Sequence, residues 1–83
     1  MNLTEQCGNI ELDTKREFER ACREFDLCIR ENENDKAQYW KTRAHAFAHV
    51  LREGFGLIPS WDSETKRTSY RLHAWKTEAA YGE

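Results

Sequence analysis

Ala37, Trp40, Ala44, Phe47, Ala48, Leu51 and Phe55 recur at offsets of 3, 7, 10, 11, 14 and 18, which is one face of an α-helix. On a wheel of about 100° per residue, Tyr39, Arg43, Ala46 and Val50 fall beside that stripe. The mainly apolar arc is then roughly 200° wide, well beyond the stripe of ~100° that a surface helix presents. A helix so broadly apolar needs cover on two sides. It is either the central helix of a small bundle or the carrier of a surface that needs a partner.

The neighbouring segments suit a bundle. Thr14 and Glu17 match a capping box, so a helix is expected from residue 13 or 14. Its core stripe is Phe18, Ala21, Cys22, Phe25, Cys28 and Ile29. The cluster Asn32, Glu33, Asn34 and Asp35 stops it, because Asn and Asp compete for backbone hydrogen bonds. The second helix is expected over residues 35–53, with Gly54 at the left-handed C′ position and Phe55 folding over Val50. The short link makes the pair an antiparallel hairpin. Pro59 ends any continuation, and Ser60 or Asp62 is placed to cap a third helix. Leu72, Trp75 and Ala79 fit a helix over residues 63–80, although Tyr70, Leu72 and Ala74 also alternate as in a strand. The expected fold class is all-α, a small helical bundle made of an antiparallel helical hairpin plus a third helix. Residues 1–12 read as a flexible N-terminal arm.

A chain of 83 residues is expected to form a single domain over residues 1–83. Domains of this size bury only about 60–65% of their unfolded surface, so a homodimer is an attractive way to thicken the core. The net charge of −2 counts against a general polyanion or membrane-surface binder. Cys7, Cys22 and Cys28 have neither zinc nor disulfide-framework spacing. Cys22 and Cys28 lie about 9 Å apart along one helix, too far for a disulfide between them. Two core thiols suit a reducing, cytoplasmic setting. Neither a leader pattern nor an apolar run of membrane length is visible.

Four constellations are candidates for function. Arg16, Arg20, Arg23 and Arg30 form a stripe on the outer face of the first helix, with Leu27 at its centre. This suits an acidic partner. The plainer alternative is a solvated face laced by Glu19–Arg23, Arg20–Glu24 and Asp26–Arg30 pairs, since residues 14–31 carry five acids and five bases. Tyr39 and Val50, with Ala46, form a spare apolar flank on the second helix. Lys66, Arg67, Tyr70, Arg71 and Lys76, interleaved with His73 and Trp75, could follow a phosphate backbone. His45 and His49 have i, i+4 spacing, but Ala46 stands where a zincin has its Glu, and both fall on the solvated arc. No metal or other cofactor is expected, and no nucleophile, phosphate loop or dinucleotide motif is present.

These features predict a non-enzymatic helical protein that binds another protein, an inhibitor or adaptor of a larger macromolecular machine. Its proportions suit an accessory protein of a phage or mobile element. The alternative is a nucleic-acid-binding regulator acting through residues 66–76.

Overall fold

Thr14 does not open the first helix. Its hydroxyl donates to the Ile10 carbonyl at 2.7 Å, the back-bond made by a Thr inside a helix. In the computed structural model, which describes residues 3–75 and side chains from residue 9 onward, helix α1 spans Leu3–Arg30. Residues 3–12, expected as an arm, are part of it. The end of α1 follows the chemistry of its sequence. Asn32 adopts a left-handed conformation with φ 60°. The Glu33 N–H donates to the Cys28 carbonyl at 2.8 Å and the Asn32 N–H to Ile29 at 3.2 Å, the paired bonds of a Schellman cap.

Helix α2, Asn34–Phe55, packs back along α1. It runs through Gly54 and ends at Gly56, whose φ of 68° is left-handed and whose N–H reaches the Arg52 and Leu51 carbonyls. Gly54-Phe55-Gly56 offers two possible stops. The later one keeps Phe55 on the helix, where it packs against the core.

Among the described residues, 63–72, expected as the first part of a third helix, form a turn and a strand instead, and the expectation of an all-α bundle is overturned; residues 76–80 of that expected helix lie outside the described residues. Strand β1, Leu57–Asp62, pairs antiparallel with β2, Arg67–Leu72, in a mixed α/β fold. Asp62 explains the misreading. Its Oδ1 accepts the N–H of Glu64 at 2.9 Å and of Thr65 at 3.3 Å. The same bonds, from a short acid to the backbone two and three residues on, start a helix or close a turn. Here they close the hairpin, with Lys66 left-handed at φ 56°. The strand alternation of Tyr70 and Leu72 therefore prevails. Pro59 is tolerated because each strand of a two-stranded sheet is an edge.

The core lies where the hairpin meets the helices. Phe18, Cys22 and the fully enclosed Leu51 form its centre, with Ala44, Phe47, Ala48, Phe55, Leu57, Trp61 and Tyr70 packed around them. Ala21, Cys28 and Ala37 are buried along the helix seam. Ile29, expected in the core, is exposed in the last turn of α1.

Two inward-facing side chains fasten the hairpin to α1. The Trp61 indole N–H donates to Asp26 Oδ2 at 2.8 Å. The Tyr70 hydroxyl donates to Glu19 Oε1 at 3.1 Å, and the Lys15 ammonium stands 4.8 Å from the Tyr70 ring centre. Burial raises the Tyr70 pKa, and the adjacent Glu19 raises it further.

Candidate functional site

The outer face of α1 holds Arg16, Arg20, Arg23 and Arg30, all exposed, around Leu27, which is 42% exposed. On sequence spacing, neighbouring acids should neutralise these arginines. The i, i+4 pairs Glu19–Arg23, Arg20–Glu24 and Asp26–Arg30 within α1 are not formed. Glu19 takes the Tyr70 hydroxyl instead. Asp26 accepts from the Trp61 indole at 2.8 Å, from the Lys66 ammonium at 3.0 Å and from the Ser63 hydroxyl at 3.2 Å. Burial pushes the Asp26 carboxyl up, but these three donors and the Lys66 charge outweigh it and hold the pKa below the ordinary value. Docking the hairpin thus removes two carboxylates from the α1 surface. Among the described residues the ion pairs are Lys15–Glu11, Lys36–Glu33, Arg52–Glu53 and Lys66–Asp26, so none of the four arginines is in one.

Around Leu27 the surface forms a depression of about 320 Å³ lined by Arg23, Glu24, Asp26, Leu27, Arg30 and Lys66. Leu27 flanked by the Arg23 and Arg30 guanidinium forks, with Asp26 already engaged by Lys66 and Glu24 as the remaining acid, suits an acidic surface carrying one apolar residue. Arg20 turns toward α2, its guanidinium 5.6 Å from the Trp40 ring centre, and links this face to the spare flank of α2.

That flank is uncovered. Tyr39 is 55% and Val50 43% exposed, and Ala46 is exposed beside them. Trp40 and Phe47 are half-buried. The hairpin reaches α2 on the His45–His49 side, beside Ile58 and Pro59, roughly 120° round the wheel. The Arg43 guanidinium lies 5.3 Å from the Phe47 ring centre, 5.6 Å from Tyr39 and 5.9 Å from Trp40. Its Nε is buried without a hydrogen-bond partner.

The basic–aromatic set is divided by the hairpin. Lys66 is paired with Asp26, and Tyr70 faces α1. Arg67 and Arg71 are exposed, with Arg67 opposite Asp62 and Arg71 opposite Ile58. Lys76 lies outside the described residues. His45 and His49 are exposed. Among the described residues no group of three or more His, Cys, Asp or Glu side chains could hold a metal, and no helix is long and apolar enough to cross a membrane.

Sequence reasoning paired Asp26 and Glu19 with their own helix and missed them as the anchors of the hairpin. A half-buried Trp or Tyr needs a polar partner, but nothing in the chain order says which one. No protein-family model, curated protein or solved structure matches this chain.

Proposed function

We propose that this chain is a non-enzymatic protein that binds an acidic surface of another protein through the Arg16–Arg30 face of α1, acting as an inhibitor or adaptor of a larger assembly. One observation carries the proposal. The hairpin engages Glu19 and Asp26, the acids spaced to pair with Arg23 and Arg30, and those two arginines line the depression around the exposed Leu27 without an ion pair among the described residues. Unpaired arginines around an apolar anchor have the composition of an interface hot spot. The uncovered Tyr39–Val50 flank extends the surface, with Arg20 between the two patches. A second copy of the chain is the alternative occupant of that flank. The free thiols of Cys22 and Cys28 suit a reducing cytoplasm.

A photo-crosslinking residue placed at position 27, in the native cell, tests this. A single discrete protein adduct is expected. It should disappear when Arg23 and Arg30 are both changed to Glu, and it should be absent with the probe at exposed Gln38. Labelling at position 27 no stronger than at position 38 would refute the proposal.

A nucleic-acid-binding regulator is the second possibility, favoured by exposed Arg67 and Arg71 on one strand. Its complex with DNA or RNA would weaken steeply between low and moderate salt. Charge reversal at Arg67 and Arg71 would abolish it, while reversal at Arg23 and Arg30 would not.

A further inference from the structure

The two histidines singled out by their spacing border a feature that the proposed interface does not use. Between the hairpin and the helix pair lies an apolar groove of about 340 Å³. Phe18, Cys22 and Phe25 of α1, Ala44 and Ala48 of α2, and Pro59 and Trp61 of β1 line it. Its polar lining residues are Lys41 and His45. A second depression of about 280 Å³ adjoins it, sharing His45, Ala48 and Pro59 and adding His49, Arg52 and Ile58. Lys41, His45, His49 and Arg52 thus form a column along α2 at offsets of 4, 8 and 11, on one side of the groove. No carboxylate lines either depression.

An apolar slot with a few polar groups gathered at one side is the usual form of a small-molecule site. The sign of those groups selects the ligand. A cation has no counter-charge here, and a wholly apolar body would leave the basic column unused. A carboxylate at one end of an apolar body matches both parts. Size follows from volume. About 340 Å³ is at the lower end of the range of small-molecule sites, which selects a small ligand. We propose that this groove binds a small amphipathic carboxylate, a short chain or small ring system, with its apolar body against Phe18, Cys22 and Trp61 and its carboxylate at Lys41 and His45. The groove shares no lining residue with the depression around Leu27, so the proposal does not rest on that face.

Octanoate is the probe. Trp61 lines the groove and its indole N–H donates to Asp26, so its ¹⁵N-indole resonance, assigned with Trp61→Phe, reports occupancy. Titration should move this resonance saturably, with a dissociation constant near the millimolar range expected of so small a ligand. The indole of Trp75, which is exposed and lines neither depression, should not move. 1-Octanol, which lacks the charge, should bind about threefold more weakly. Acetate, which lacks the body, should not shift Trp61. Lys41 and His45 are both exposed, so Lys41→Ser with His45→Ser should keep the helical circular dichroism and weaken octanoate about threefold, the scale of exposed, screened charge pairs. Three results would overturn the proposal: no saturable shift of Trp61, equal binding of octanol, or unchanged octanoate affinity in the double variant. Failure here with position-27 crosslinking intact would remove the groove alone.

Discussion

Replacing Asp26 by Ala should release the β-hairpin from α1 while both helices survive. The Trp61 indole N–H, half-buried, would lose a charged acceptor at 2.8 Å. Hydrogen bonds to charged groups contribute about 1.5–3 kcal/mol, and an orphaned donor suffers desolvation of similar size. The Lys66 ion pair adds only about 0.5 kcal/mol, because the Lys66 side chain is 39% exposed and such pairs are screened. The exposed Ser63 contact adds little. The expected loss is about 2–3 kcal/mol, a large part of the stability of a domain this small. Urea unfolding followed at 222 nm should show the midpoint falling by about 1–2 M, given the slopes usual for small proteins. A double-mutant cycle with Trp61→Phe isolates the bond, with an expected coupling near 1.5 kcal/mol. Acid titration supplies a second check. The folded pKa of Asp26 lies below its ordinary 3.8. Its contribution is therefore complete above the unfolded pKa and is lost as pH falls through the folded value. Below about pH 4 the wild type should lose stability relative to Asp26→Asn, which has no charge to lose. A coupling under 0.5 kcal/mol, or parallel acid curves for wild type and Asp26→Asn, would show that apolar packing alone seats the hairpin.

The two glycines at the end of α2 should respond in opposite directions. Gly56→Ala places a Cβ at φ 68° and should lower stability by about 1–2 kcal/mol, whereas Gly54→Ala, whose Cβ meets only Val50 Cγ1 at 4.0 Å, should raise it by about 0.5–1 kcal/mol; calorimetry reads both. Leu51→Ala empties a fully enclosed site and should destabilise by about 3–5 kcal/mol, enough to unfold much of the population. Val50→Asp, at a position 43% exposed, should leave the circular dichroism unchanged. Sedimentation of that variant beside wild type tests whether the α2 flank pairs with a second copy. Burial pushes the Cys22 thiol up to about 11, so iodoacetamide at neutral pH should label it slowly when folded and readily in urea.

The helices were legible because their determinants are local. The apolar periods of Phe18–Cys28 and Ala37–Phe55 set which faces meet, and Asn32 supplies a left-handed residue where the chain reverses. Helix limits were less legible. Thr14 serves a cap or a helix interior equally well, and either Gly54 or Gly56 could end α2.

The hairpin and the site that depends on it were decided by tertiary structure. Asp62 makes bonds that suit a helix cap or a turn, and the choice falls to Trp61 and Tyr70, which as strand residues reach α1 across 35 and 51 positions of chain to Asp26 and Glu19. Spacing along α1 pairs those same acids with Arg23 and Arg30. The sequence alone thus determined that the outer face of α1 carries four arginines and Leu27. Whether that face is neutral depends on where Asp26 and Glu19 turn. A hydrogen bond from a half-buried indole or phenol favours an acid beneath the hairpin over an exposed helix ion pair, which contributes only a few tenths of a kcal/mol.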